Sequence, residues 1–451
     1  MAASLRLPPP DSPAGAFVSA SGARFTVRVD HGSVVQSIAR GGDTLEQRVA
    51  YVIGSGRHAS GYLIQAGAHL FQSPVCYYPQ RRAFDLAPGY ERIADPDFTR
   101  AVGEQCILCH GDADRGPISC ARCHGPVEAH LRRPVPGSIV NPAKATGAAR
   151  DSVCEQCHLA GVARILNPGK SFGAFHAGQA LEEVFTVFSR PAKGDFRVIS
   201  HAEQLRQSVC ARASNGKLWC GTCHDPHPAA PATAATYNSR CTGCHAGPLP
   251  ATHPAAANCI GCHMQRREAR DGAHTVFTDH RIARRPAADP PAAATDELVA
   301  WRDPDPAFRT RNLALAYVEA GVSGRSPAQM VRGYRMLTEV ERTAPDDVAV
   351  LRGLGRALLL GRQPLEALRA FERVLTLTPN DATSAEDAGV AALEAGQVEK
   401  AVARLEAAVR SDPFLLTAAT ALEQAYRRQG RAKEADALAA RIRGLGHLPI
   451  H

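Results

Sequence analysis

The hydrophobic and polar positions of this chain follow different patterns in successive regions. Between residues 16 and 100, apolar side chains alternate with polar ones, as at Phe25, Val27 and Val29, and glycines separate the short apolar runs. A period of two is typical of strands with one buried face, so we expect a β-rich segment at 16–100. Residues 1–15 are rich in Pro and Ala and are predicted to be disordered.

The last third of the chain repeats itself at an interval of 34 residues. The recurring residues are Pro345, Pro379 and Pro413, then Gly355 and Gly389, and then Ala367, Ala401 and Ala435. Small residues at helix contacts and a proline after the second helix are typical of tetratricopeptide repeats. We therefore predict an all-α solenoid of such repeats at 301–445, with an inserted loop near Ser323 and a linker at 286–300 before it. The alternative is an unrelated helical bundle with accidental spacing.

Residues 101–285 have little periodicity and frequent Pro and Gly, which predicts a coil-rich domain with short helices. Its chemistry lies in six copies of the motif Cys-x-x-Cys-His, which use twelve of the fourteen cysteines. The motifs, numbered one to six, are Cys106, Cys109 and His110; Cys120, Cys123 and His124; Cys154, Cys157 and His158; Cys220, Cys223 and His224; Cys241, Cys244 and His245; and Cys259, Cys262 and His263.

This motif suits covalent haem attachment. Its two cysteines can form thioethers with the two vinyl groups of one haem, and its histidine then presents an imidazole to the iron as the proximal ligand. Paired CxxC motifs also bind zinc, but zinc sites do not require a histidine after every second cysteine. A redox-active CxxC would normally occur once, near a βαβ unit. The six motifs therefore predict six covalent c-type haems.

Each iron also takes a second axial ligand or keeps an open position. Because the chain has only four methionines but 18 histidines, histidine is the expected distal ligand. The distal candidates are His58, His130, His201, His227, His274, His253 and His280. Two histidine ligands give low-spin iron that suits electron transfer, whereas an open position suits substrate chemistry. Motifs one and two, and motifs five and six, are close in sequence, so their haems would lie close enough to pass electrons.

The charge balance does not change this interpretation. The formal net charge is +8, from 52 basic and 44 acidic residues. Six haems would add roughly −12 of propionate charge, which the basic side chains can neutralise. We therefore do not expect a nucleic-acid partner. No apolar window is long enough for a transmembrane segment. Cys76 and Cys210 stand outside the motifs and either pair in an oxidising compartment or are small buried residues.

The chain resembles the bacterial multihaem cytochromes c that have a doubled CxxCH motif and C-terminal tetratricopeptide repeats. The resembling stretches span residues 50–285 and are YVIGSGRHASGYL, DLAPGYE, EQCILCH, ISCARCHGPVEAH, CEQCHLAG, HAEQLRQSVC, CGTCHDPH and CIGCHMQRREARDGAHTVFTDHRI. The resemblance implies a periplasmic or otherwise exported electron-transfer protein, distantly related to haem proteins of the nitrogen cycle. It also implies that His58, His130, His201, His227 and His274 are distal ligands.

The chain departs from this family at its start. Members commonly have a signal sequence and a further CxxCH before the β-rich segment, and neither is visible here, so we expect the natural start to lie upstream or the signal to have been removed. His253 or His280 would then be the histidine that has lost its haem.

Three functions remain open. The first is an electron carrier whose haem domain conducts to redox partners and whose repeats dock a partner protein. The second is an oxidoreductase acting on a small nitrogen or sulfur compound at a five-coordinate haem. The third is a scaffold in which haems only stabilise the fold. Electron transfer is favoured over enzyme activity because the histidines suffice for two ligands on each iron and the repeat domain has no catalytic groups of its own.

Overall fold

The computed structural model describes residues 4–111, 116–145, 147–190, 196–227, 232–247, 253, 258–284 and 296–445, with the backbone alone from 443. Over these ranges the chain has a β-rich N-terminal region, a middle region of short helices, and a C-terminal helical repeat region. None of the described helices is long and apolar enough to cross a membrane.

The N-terminal region consists of two antiparallel sheets that pack on each other. One has the order β1-β6-β7-β8-β10 with β9 paired to β8, and the other has the order β2-β3-β4-β5. The strands are β1 Leu5–Arg6, β2 Gly15–Val18, β3 Arg24–Asp30, β4 Ser33–Arg40, β5 Asp43–Arg48, β6 Tyr51–Ile53, β7 Ser60–Ala66, β8 His69–Tyr78, β9 Ala83–Leu86 and β10 Arg100–Ala101. Phe25 and Val27 of one sheet share a core with Tyr62, Phe71 and Val75 of the other. The β-rich prediction is confirmed.

The prediction that residues 1–15 are disordered is wrong at β1. Leu5 and Arg6 pair with Val52 and Ile53 of β6. The Leu5 side chain is fully buried in the same cluster as Leu63. The proline-rich composition concealed this strand because two residues are too few to show a period.

The middle region joins short helices by irregular chain. Its helices are α1 Glu104–His110, α2 Ala121–His124, α3 Glu128–Arg132, α4 Gly147–His158, α5 His201–Gln207, α6 Val209–Ala213, α7 Cys220–Cys223, α8 Ala234–Thr242 and α9 Cys259–His263. Its strands are β11 Ala163–Leu166, β12 Phe185–Ser189, β13 Arg266–Glu268 and β14 Val276–Thr278. Three 3₁₀ turns lie at Pro142–Lys144, Phe172–Ala174 and Leu181–Glu183.

The end of the predicted linker 286–300 is a strand, β15 Val299–Ala300, which adds to the edge of β12. Residues 286–295 lie outside the described ranges. The repeat region therefore joins the middle region through a shared sheet.

The helical repeats begin directly after β15. The helices are α10 Pro306–Gly324, α11 Pro327–Thr343, α12 Val348–Leu360, α13 Pro364–Leu377, α14 Ala382–Glu394, α15 Val398–Ser411, α16 Leu416–Arg428 and α17 Ala432–Leu445. Successive helices pack against each other along the series. A Cβ atom on Gly355 would lie 2.5 Å from the Phe371 ring, and one on Gly389 would lie 2.5 Å from Leu405 Cγ. The repeated glycines thus allow close helix contact, and the predicted helical repeat is confirmed.

The predicted inserted loop near Ser323 is wrong. Ser323 lies inside α10, which has 19 residues, and the following helix α11 has 17, compared with 13 and 14 in α12 and α13. The additional residues of the first repeat lengthen its helices, and α10 ends only at Gly324, where the following Arg325 adopts a left-handed backbone.

The repeat region also contacts the N-terminal sheets. Asp412 Oδ1 lies 3.3 Å from His69 Nε2, and the Phe414 ring centre lies 4.9 Å from that of His69. The Phe414 ring also meets Phe71. The β-rich region, the middle region and the repeats are therefore in mutual contact.

Candidate functional site

Each of the six CxxCH motifs lies on or beside a short helical segment. Motif one lies in α1, motif three ends α4 and motif six forms α9, whereas motifs two, four and five straddle a helix end. In motifs two, four and five, the histidine N–H donates a 2.9 Å hydrogen bond to the carbonyl of the first cysteine. Because residues i and i+3 share one face of such a turn, both thiols face the same side, as attachment to one haem requires.

Three pairs of candidate ligands stand at the spacing of two axial ligands on one metal. The ring centres are 6.0 Å apart for His124 and His227, and 6.1 Å apart for His253 and His263. Metal–imidazole bonds of about 2 Å place two opposite ring centres about 6 Å apart. These two pairs are also nearly parallel, with angles of 23° and 20° between their planes.

The third pair, His224 and His280, has ring centres 6.1 Å apart at 34°. It belongs to a group of neighbouring histidines, in which His201 contacts both His280 at 4.7 Å and His158 at 4.9 Å. The His158 and His201 rings are edge to face and about 1 Å too close for one iron between them, so those rings would have to separate to ligate it. The sequence did not indicate that these four histidines come together.

Hydrogen bonds at Nδ1 fix the orientation of most candidate rings. His124, His263 and His280 donate to the carbonyls of Val140, Ala283 and Thr278 at 2.7, 2.9 and 2.9 Å. His227 donates to Asp225 Oδ1 at 2.9 Å.

Two further candidates hydrogen-bond serine hydroxyls at Nδ1. The partner of His130 is Ser138 at 2.6 Å, and the partner of His110 is Ser4 at 2.7 Å. Occupation of Nδ1 leaves Nε2 as the nitrogen with a free lone pair, which is the usual arrangement for a metal-ligating histidine.

Burial keeps the central histidines uncharged. Desolvation, reinforced by neighbouring histidines, lowers the pKa of His201 to about 3 and that of His280 to about 4. Desolvation also lowers the pKa of His110, His158 and His224. The neutral imidazole is the form that binds metal, so these rings are ready to ligate at neutral pH.

Three distal candidates contact other groups instead of a proximal histidine. The His58 ring centre lies 4.6 Å from that of Phe277 at a tilt of 31°, and its buried Nδ1 has no hydrogen-bond partner within the described structure. His130 bonds Ser138, as above. His274 Nε2 lies 3.1 Å from Asp85 Oδ2, so the nitrogen that would face an iron is already engaged.

The cysteines of different motifs are close to one another. A hydrogen bond from Cys157 lowers the pKa of the Cys109 thiol to about 6, and a similar bond links Cys154 to Cys220. Burial, and after it the nearby Cys259 thiol, raises the pKa of Cys241. Motif three thus adjoins motifs one and four, and motif five adjoins motif six.

None of the fourteen cysteines, all of which lie in the described ranges, forms a disulfide. Cys76 is buried beside Ser60, and Cys210 lies in α6, so neither is seen to pair with the other. No group of three or more His, Cys, Asp or Glu side chains in the described part of the chain could hold a metal ion by itself. A haem iron takes at most two ligands from the protein, so histidine pairs are the relevant feature.

The region of motifs four to six buries very little apolar side-chain surface. Among the described residues from 201 to 284, Ala269 is the only hydrophobic residue that is less than a tenth exposed. A protein segment without an apolar core needs another group to exclude water. The haem macrocycles that its three motifs would attach are large apolar groups, so the histidine spacing and this composition both fit haem.

Sequence reasoning missed the polar side chains that join the motifs. Gln156, between the cysteines of motif three, donates to the Arg122 carbonyl at 3.3 Å. Arg164 in turn donates to the Gln156 carbonyl at 3.0 Å. The variable positions of a CxxCH motif have no fixed chemistry, so only the structure could identify these contacts.

Comparison with known proteins finds little likeness. No protein-family model and no curated protein matches the chain. Similar solved structures are "MamA RS-1 ArsTM double mutant" (22% identity, 30% of this chain, 75% of that chain, TM-score 0.28) and "MamA 41-end from Desulfovibrio magneticus RS-1" (22%, 31%, 80%, 0.28). A third is "MamA AMB-1 C2221" (23%, 31%, 78%, 0.27). The likeness concerns the C-terminal helices, and at these scores it carries no argument about this chain's function.

Proposed function

We propose that this chain is an exported multihaem c-type cytochrome that carries electrons through six covalent haems and docks a partner protein through tetratricopeptide repeats. The observation that carries the proposal is the spacing of His124–His227, His224–His280 and His253–His263. Each pair combines the histidine of a CxxCH motif with a distal candidate, at the separation that one iron requires.

The residues of the chain would divide the work as follows. The twelve motif cysteines attach the haems, and each bound haem supplies an iron that gains and loses one electron. Two histidines per iron would hold it low-spin and leave no position for a substrate, which would favour electron transfer. His201, which lies against His158, would be the distal partner at motif three once the two rings separate.

The contacts between motifs suggest a route for electrons. Motif three touches motifs one and four through its cysteines, and motif five touches motif six. Haems attached at adjoining motifs would have their edges close together. Motif three would then be the junction of the first group of haems.

A second candidate function is an oxidoreductase for a small nitrogen or sulfur compound. His110 supports it, because the described contact of this proximal histidine is with Ser4 rather than with a second histidine. The haem of motif one would then keep an open axial position for a ligand.

The test is a pyridine haemochrome count with EPR and optical spectra, on protein exported together with haem-attachment machinery. We expect about six haems per chain, and about five in the variant Cys259→Ala/Cys262→Ala, which serves as the matched control. Low-spin signals from all six would favour the electron carrier, and one high-spin haem that binds nitric oxide would favour the enzyme. A properly exported chain without covalent haem would refute both.

A further inference from the structure

Trp301 lies between the two helices that carry His158 and His201. Its Nε1–H donates a 3.0 Å hydrogen bond to Glu155 Oε1, three residues before His158 in α4. On its other side, the Arg206 guanidinium lies 4.3 Å over the indole ring and donates to the Trp301 carbonyl at 2.7 Å. Arg206 belongs to α5, which begins at His201.

Arg302 strengthens the same junction through charge. Its guanidinium donates to Glu155 and, at 3.1 Å, to Glu182. The side chains of both glutamates are at most a tenth exposed. A buried carboxylate without a cationic partner is strongly destabilising, so Arg302 is required where α4 and the turn at Leu181–Glu183 meet.

The segment that holds these two residues belongs to the repeat region. It follows β15 directly, and the backbone N–H of Leu298 donates to the Tyr317 hydroxyl of α10 at 3.1 Å. From α10, Arg311 donates to the Leu166 carbonyl at the end of β11. Movement of the first repeat would therefore displace α4 and α5.

We propose that Trp301 and Arg302 are positioning residues for the third haem, through which the repeat region fixes the approach of His158 and His201 to its iron. Hydrogen bonds and charges that hold the helices bearing the ligands orient those ligands and change the properties of the metal. The inference rests on the proposed function, since it needs haem at motif three.

The experiment compares holo-protein carrying Trp301→Phe or Arg302→Gln with the unaltered protein. Trp301→Phe keeps a ring beneath Arg206 and removes only the donor to Glu155. The matched control is Arg309→Gln. Arg309 is an exposed arginine near the start of α10, and its guanidinium lies 3.6 Å from Asp303. His201→Met identifies which EPR signal belongs to the third haem. A methionine ligand raises the reduction potential of the haem that carries it, so the signal whose potential rises is that of the third haem.

We expect both variants to keep about six haems, to shift the g-values and reduction potential of the third haem, and to leave the other five unchanged. The control should shift none. Unchanged spectra in Trp301→Phe and Arg302→Gln would overturn the inference, and so would an equal shift of all six haems, which indicates a general loosening. Absence of covalent haem in the unaltered protein would instead refute the proposed function itself.

Discussion

Gly161 follows motif three closely and allows us to predict a stability change from geometry. Its φ is +61°, and its N–H donates to Glu203 at 2.8 Å. A Cβ at this position would lie 2.5 Å from Val187 Cγ1 and 3.1 Å from the Phe188 carbonyl oxygen. Gly161→Ala would thus combine a left-handed backbone with steric overlap.

The two costs are of similar size. A non-glycine residue in the left-handed region costs about 1–2 kcal/mol. Overpacking against a buried side chain and fixed backbone costs about 1–3 kcal/mol. The sum for Gly161→Ala is about 2–5 kcal/mol of local stability. Gly169 is the control, since its φ is +71° but nothing lies within 4 Å of its Cβ position, so Gly169→Ala should show the backbone cost alone.

Hydrogen exchange is the suitable assay because it reports local opening in a chain of several regions. In the full-length protein, amides of β11 and β12 should exchange faster in Gly161→Ala, about tenfold for each 1.4 kcal/mol lost. Gly169→Ala should change their exchange by the smaller amount. Equal exchange in the two variants would show that Val187 does not approach Gly161 closely, and would refute the predicted steric cost.

Three further predictions concern the repeats. Phe371→Ala removes a fully buried ring and should cost about 3–5 kcal/mol, seen as earlier thermal loss of the helical circular dichroism signal, whereas Leu377→Ala at an exposed position of the same helix should stay within about 0.5 kcal/mol. Burial opposes ionisation of Asp347, but the Arg311 guanidinium outweighs it and lowers its pKa. The pair therefore stabilises the fold above the ordinary aspartate pKa of about 4, and this contribution is lost as the pH falls through the lower folded-state pKa; urea midpoints of Asp347→Asn should vary less with pH over that range. Phe414→Ala should increase hydrogen exchange in the β7–β8 hairpin and leave β2–β3 unchanged, while equal exchange in both hairpins would contradict the contact with His69.

The sequence predicted those parts of the fold that have a local period. Alternation at Phe25 and Val27 indicated strands, and the 34-residue interval of Gly355 and Gly389 indicated paired helices. The pairing of Leu5 with Ile53 was beyond such reasoning, because a two-residue strand has no period and its partner lies far along the chain. The extended helix at Ser323 was missed because an insertion was equated with a loop.

The candidate site divides in a similar way. The CxxCH motifs are local, so all six were visible in the sequence and remain predictions of haem attachment. Which histidines face each other depends on long-range packing. The sequence indicated His280 as a candidate distal ligand but not the proximal histidine that it faces. The structure places it beside His224 and places His274 beside Asp85.

The distribution of buried side chains joins the fold to the proposed chemistry. Clusters of buried apolar residues hold the β-rich region, the β11–β12 hairpin with the first repeats, and the later repeats. Between residues 201 and 284 the described chain instead buries polar side chains such as Gln204, Thr275 and Asp279, and desolvation lowers the pKa of the partly buried His201 and His280. A neutral imidazole with a fixed Nδ1–H is a good iron ligand but a poor substitute for an apolar core. The same segment therefore gains both its core and its function if haems fill it, which is why haem loading should be required for this region, and not for the repeats, to fold.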